Sequence, residues 1–172
     1  YSRVYAYLSK TRAISPIIIA DFIKENKIYQ DTRGNCVFVG FDENGIAKFG
    51  TIRGTLTNRK YRGDCKNSDK RYAFCQIGAN ISDLFVFESP IDLLSHCTIA
   101  NIVYKNDYAY RQHTRLALCG SSDVALEAFL KRYTEVTAIH FRLDNDETGH
   151  SAVNKYSQKY ISLGYKVNAR FS

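Results

Sequence analysis

Residues 84–92 read Leu84-Phe85-Val86-Phe87-Glu88-Ser89-Pro90-Ile91-Asp92. Four apolar residues in a row are what a strand buried on both faces looks like. Glu88 ends the run. Ser89 and Pro90 then supply a helix cap and a first-turn proline, whose missing N–H is not needed there. Asp92 stands three residues after the cap, where an acid suits the helix dipole. A helix over 90–100 follows. The pattern then repeats down the chain. Leu116-Ala117-Leu118-Cys119 is a second buried run, closed by Gly120. Ser121 or Ser122 caps a helix reaching Tyr133. Val136 to Leu143 is a third strand, ending at Asp144-Asn145-Asp146. A helix over 148–163 puts Ala152, Val153, Tyr156, Tyr160 and Leu163 on one face, with Gly164 as its stop. Tyr165 to Phe171 is a fourth strand. The alternation predicts an α/β unit over 81–172: a parallel four-stranded sheet with helices on both faces.

Upstream the period changes. Val4–Ser9 reads as a short helix. Ser15-Pro16 opens a helix over 16–26 with Ile18, Ile19, Phe22 and Ile23 at helical spacing. Cys36 to Phe41 and Ile46 to Thr55 read as two strands joined at Glu43-Asn44-Gly45, which carries the Asn-Gly turn signal. Residues 56–71 are polar, basic and rich in turn formers, and Tyr72 to Ile77 reads as a third strand. Residues 78–83 read as a linker. Residues 1–80 are therefore expected to form a small α+β subdomain, a helix plus a β-hairpin, ahead of the 81–172 domain.

The chain has 172 residues, 45% of them hydrophobic and 24% charged. That excludes a disordered tail, a collagen and a coiled-coil rod. Its net charge of +7 sits entirely in the first half: 14 Lys/Arg less 7 Asp/Glu over residues 1–80, against 10 less 10 over 81–172. A basic half suits nucleic acid, and it also suits a plain solvated surface. Cys36, Cys65, Cys75, Cys97 and Cys119 show neither C-x-x-C nor zinc-finger spacing, which points to reduced thiols and a cytoplasmic setting. No apolar run is long enough to span a membrane and no signal peptide is visible. With Tyr1 first and no Met anywhere, the chain reads as a fragment or a processed product.

Ligands of open α/β sheets bind beyond the carboxyl ends of the strands. Glu88, Asp144 and Asp146 fall there. Their oxygen ligands suit Mg²⁺, with Mn²⁺ as the alternative, and such a metal can hold a phosphoryl group during in-line transfer. Taken singly, each acid has a plainer reading as a strand end, a turn or a helix cap.

Together these residues resemble the toprim family, shared by bacterial primases, type IA and type II topoisomerases, overcoming-lysogenisation-defect nucleases and a ribosomal-RNA maturase. Phe85-Val86-Phe87-Glu88-Ser89-Pro90-Ile91-Asp92 matches its first motif, Leu118-Cys119-Gly120 its middle, and Leu143-Asp144-Asn145-Asp146-Glu147-Thr148-Gly149 its last. The upstream half resembles the start of a primase core at Ala6 to Ser15, Lys48 to Gly54 and Lys66-Asn67-Ser68. Nearly the whole chain resembles primase-like proteins of conjugative and mobilisable elements that pair a domain of unknown function with toprim. The resemblance implies Glu88 as metal ligand and general acid/base, Asp144 and Asp146 as Mg²⁺ ligands and Asp92 as a secondary ligand. It implies phosphate or nucleic-acid contacts at Arg53, Lys66, Lys70 and Gly120. Tyr61 and Tyr72 are candidates for base stacking or for packing, and His150 for phosphate or plain surface.

The sequence departs from the family at Ser89, where glycine is usual, at Pro90, and at Thr148 and His150, where Ala and Arg are commoner. A third acidic motif and a zinc-binding domain, both expected of primases, fall outside the stretch. The implied function is Mg²⁺-dependent nucleotidyl transfer, primer synthesis on single-stranded DNA in a mobile element, with nucleotides and nucleic acid as partners, a helicase or relaxase as protein partner, and no membrane. The alternatives are a metal-dependent toprim nuclease and a non-catalytic DNA-binding module of a conjugation complex.

Overall fold

The computed structural model describes residues 2–56 and 61–171. Residues 57–60, part of the basic loop read at 56–71, lie outside them.

The first half is built on a four-stranded antiparallel sheet in the order β1-β2-β3-β4: β1 Ile28–Gln30, β2 Cys36–Phe41, β3 Ala47–Arg53 and β4 Arg62–Asp64. The expected hairpin is its β2–β3 centre. The outer strands carry three residues each, Ile-Tyr-Gln and Arg-Gly-Asp. They are too short and polar to show a period of two, so only pairing with a neighbour defines them. Two helices pack beside this sheet: α1 (Ser2–Ala6), continuing as a π-helical turn over Tyr7–Thr11, and α2 (Pro16–Lys24). Ile18, Ile19 and Phe22 form the buried stripe of α2.

The second sheet has the order β5-β7-β6-β8-β9, with β5 at Cys75–Gln76. Here β6 is Asn80–Phe87, β7 His113–Ala117, β8 Ala138–Arg142 and β9 Lys166–Ala169, and these four are parallel. The connecting helices are α3 (Pro90–Val103), α4 (Val124–Arg132) and α5 (Glu147–Ser162). Leu84, Val86, Leu116, Ile139 and Phe141 point to one face and are covered by Phe129 of α4 and by Val153, Tyr156 and Tyr160 of α5. Phe87 and Ala117 point to the other, against Leu93, Leu94 and Cys97 of α3. The toprim-type fold with helices on both faces is therefore present.

Three expectations change. The strand read at Tyr72 to Ile77 is a 3₁₀ turn at Lys70–Tyr72 followed by β5, Cys75–Gln76. That short strand leaves the first sheet and pairs antiparallel with β7, giving the second sheet a fifth strand. The linker read at 78–83 already contains the start of β6. The helix before Tyr133 starts at Val124 with Asp123, not Ser121 or Ser122, at its cap position.

The hydrophobic core does not divide at residue 80. One cluster joins Leu8, Ile18, Phe22, Phe38 and Phe74 of the first half to Phe87, Leu93, Leu94 and Tyr110 of the second. Phe74 is fully buried between the rings of Phe22 and Phe38, with centroids 5.6 and 5.4 Å away. At Gly40 the β2 backbone passes so close to the 70–73 turn that an added Cβ would stand 1.7 Å from the Tyr72 carbonyl oxygen. The two halves thus meet as one body, with the first sheet held against the carboxyl end of the second.

Candidate functional site

Glu88 follows directly on β6, and the chain then turns into α3. The Asp92 Oδ2 accepts hydrogen bonds from the Ser89 N–H (3.1 Å) and the Ser89 hydroxyl (2.6 Å), which closes the first turn of that helix. At the end of β8 the chain makes a second such entry. Asp146 caps α5 by accepting from the Gly149 N–H at 2.7 Å. Gly149 is required here by close approach: an added Cβ would stand 2.0 Å from the Asp144 carbonyl oxygen. The absence of a side chain at Gly149 therefore lets α5 start directly against the Asp144 backbone.

The acids sense one another. Burial, then Asp144, Asp146 and Asp92, push the Glu88 carboxyl above its ordinary range. Burial, then Asp92 and Asp146, do the same to Asp144. Mutual repulsion of this kind is what a cation relieves. Arg62 pulls Glu88 back down, and Arg53 acts likewise on Asp144. Those two arginines come from the other half of the molecule. Arg53 on β3 and Arg62 on β4 are directly paired in register. Like charges in that arrangement repel unless an anion lies between them.

A cleft of about 500 Å³ separates the two walls. Thr51, Ile52, Arg53, Arg62, Gly63 and Asp64 line the first-half side, and Glu88, Ser89, Pro90, Gly120, Ser121 and Thr148 the other. Lys70 crosses the gap. Its Nζ donates to the Cys119 carbonyl at 2.9 Å and lies 3.5 Å from Asp64. Gly120 has φ +147°, and an added Cβ would stand 2.8 Å from that Nζ. Lys70 and Gly120 are thus neighbours, as Arg53 and the acids are. Lys66 is not brought into the cleft: it sits in an exposed turn of the same loop. Tyr61 lines a separate hollow with Arg33, Asn35, Gly54 and Leu56. Tyr72 is covered by the Arg132 guanidinium at 4.7 Å and packs against the second core. His150 hydrogen-bonds Asn145 at 2.8 Å and stacks on Phe171 at 3.8 Å. Arg62 is the site residue that sequence reading missed. It lies in a stretch whose charge showed, but whose pairing with β3 has no local signal.

The donor set fits Mg²⁺ in kind: hard carboxylate oxygens, mutually repelling, beside a cleft with room for water and phosphate. Among the described residues, no three His, Cys, Asp or Glu side chains form a ready-made metal cage. Asp92 and Asp146 each commit one oxygen to a helix cap. A few carboxylates completed by water and substrate is the arrangement Mg²⁺ accepts and a closed protein cage is not.

The Toprim-like family profile matches residues 85–171, which is 87 of the 172 residues. The chain belongs to the Toprim-like family. Residues 6–80 match a protein of unknown function, DUF3991. An uncharacterized protein of Bacillus anthracis, pXO2-78, is 27% identical over 175 residues, covering 86% of this Toprim-like chain and 49% of its own length. The chain thus spans about half the length of that curated relative. Among solved structures, the primase fragment of the bacteriophage T7 primase-helicase protein superposes with TM-score 0.63 at 19% identity, over 91% of this chain and 61% of that one. The E. coli primase catalytic core gives 0.62 at 14%, over 99% and 65%. A DnaG primase catalytic domain bound to single-stranded DNA gives 0.57 at 14%, over 99% and 65%. At these identities the likeness is one of fold, and it extends across both halves. Among the described residues, no helix is long and apolar enough to cross a membrane.

Proposed function

We propose that this protein is a primase-like enzyme that transfers nucleotides onto a nucleic-acid chain with Mg²⁺. The observation that carries the reading is the opposition of Arg53 and Arg62 to Glu88 across one cleft, with the charge of Arg53 also felt by Asp144. Cations on one wall and repelling acids on the other suit a nucleoside triphosphate bound with its metal. Solved primase cores share both halves of this fold.

In this reading, Glu88, Asp144 and Asp146 would hold the metal, with Asp92 behind them. The metal supplies charge neutralisation and orientation of the phosphates. Arg53 and Arg62 grip phosphate oxygens by charge-assisted hydrogen bonds. Lys70 holds the Cys119–Gly120 turn at its place in the cleft wall. Glu88, whose carboxyl retains its proton more readily than an ordinary glutamate, is the group suited to take a proton from the attacking hydroxyl. Residues 1–80 guide the template and 81–172 carry the chemistry. The setting is the cytoplasm, where the five unpaired cysteines stay reduced, and the host replicon is a mobile element.

The test is nucleotide incorporation by the full-length protein on single-stranded DNA with Mg²⁺. Asp144→Ala is expected to abolish it. Cleavage of labelled DNA without nucleotides would instead identify a nuclease, and unchanged incorporation by Asp144→Ala would remove the acids from the mechanism.

A further inference from the structure

The second half has no net charge, yet its charges are sorted in space. Its sheet presents one face to α4 and α5. On the opposite face α3 covers β6 and β7, and among the described residues no helix covers β8 and β9. Alternation along the strands decides what lies there. Arg142 donates to the Asn168 side chain at 3.3 Å, which places both on this face. His140 stacks on Phe85 at 4.6 Å, and the Arg142 guanidinium sits over the same ring at 5.5 Å. Lys166 pairs with Ala138, two residues before His140, and shares the side of Asn168. Arg170 extends the ladder through its N–H to the Phe141 carbonyl, one register step beyond Ala169.

Lys166, Asn168 and Arg170 are exposed. The acid on this face, Asp83, is engaged by His140 at 2.8 Å. Among the described residues none of Arg142, Lys166 and Arg170 has a carboxylate partner. Two adjacent guanidinium groups without an anion between them are an unfavourable arrangement that a polyanion would relieve. The row is also directed. Asp144 follows Arg142 by two residues, about 7 Å further along the strand, so the cationic row runs up β8 and β9 to the carboxylates.

We propose that the open β8–β9 face is a second nucleic-acid contact surface. Lys166, Arg170 and Arg142 take the phosphates of a strand, and Asn168 and the Phe85–His140 stack lie beneath it. The strand enters or leaves the acidic centre along β8 and β9. This surface rests on the nucleic-acid reading above and adds a path to it. Charge complementarity favours a polynucleotide over a protein segment, since among the described residues three cations without a carboxylate partner on this face stand against one carboxylate, Asp83, which is hydrogen-bonded to His140.

The experiment is fluorescence anisotropy of a labelled single-stranded DNA with the full-length protein across a salt series. Three double variants are compared: Lys166→Glu/Arg170→Glu on the face, Arg53→Ala/Arg62→Ala in the cleft, and Lys131→Glu/Lys155→Glu on the α4–α5 side. The face variant is expected to bind on the order of tenfold more weakly at about 0.1 M salt, with the salt slope reduced by about one per lost contact. The α4–α5 variant should bind like the parent. Full binding by the face variant, with binding weakened by the cleft variant, overturns this surface alone and leaves it to a protein contact. Equal weakening in the face and α4–α5 variants also overturns it, because net charge would then be the cause. Absence of binding by the parent overturns both this surface and the nucleic-acid reading.

Discussion

Gly149→Ala tests the coupling between the α5 entry and Asp144. An added Cβ would stand 2.0 Å from the Asp144 carbonyl oxygen, 3.0 Å from its carbonyl carbon and 3.4 Å from its nitrogen. These are backbone atoms, so no side-chain rotation relieves the clash. Ordinary contact begins near 3.4 Å, so one side must move by 3.4 − 2.0 = 1.4 Å. If α5 retreats, the 2.7 Å hydrogen bond from the Gly149 N–H to Asp146 stretches. If the strand end retreats, Asp144 leaves Glu88. Either movement separates the carboxylates. Overpacking of this kind costs about 1–3 kcal/mol. For a chain of this size that lowers the melting temperature by about 2–12 °C. A misplacement of about 1 Å at a reacting centre costs on the order of a hundredfold in rate. The assays are thermal melting with and without Mg²⁺, and nucleotide incorporation. The variant should melt lower, lose most of the Mg²⁺-induced rise and incorporate about a hundredfold more slowly. A variant that melts with the parent and keeps its Mg²⁺ response would refute the argument that Gly149 positions Asp144.

Two further outcomes follow from the same geometry. Glu88 has a folded carboxyl pKa raised by burial and by Asp144, Asp146 and Asp92. Its contribution to stability is therefore complete below the unfolded pKa and is lost as pH rises through the folded one. Metal-free Glu88→Gln should be more stable than the parent at neutral pH, by roughly 0.5–2 kcal/mol. The difference should vanish on acidification, and a pH-independent or negative difference would contradict the charge cluster. Phe74→Ala should cost about 3–5 kcal/mol, because the ring is fully buried and bridges both halves. Denaturant unfolding should keep a single transition, whereas two separate transitions would show that the shared core does not couple the halves.

Much of the second half was readable because its signals are local. The runs at 84–87 and 116–119 are unbroken, and Ser89-Pro90 and Gly164 punctuate their helices. Glu88, Asp144 and Asp146 could be placed together because strands in this alternation end on the same side. The first sheet was half legible: β2 is an apolar run joined to β3 through an Asn-Gly turn, but β1 and β4 hold three residues each. The basic loop announced its charge without saying which cation mattered. Lys66 and Lys70 looked alike in sequence, yet only Lys70 reaches across to Cys119.

The amino-acid order by itself determined the alternation of the second half, the acids at its strand ends and the placement of the net positive charge, because burial, capping and turn preference act over a few residues. Tertiary structure decided that Arg62 stands opposite Arg53, that β5 leaves one sheet for the other and that Phe74 belongs to a core shared by both halves. Those depend on pairing between segments far apart in the chain. Whether such pairs form is settled by packing of the whole chain, and no short window of sequence carries that information.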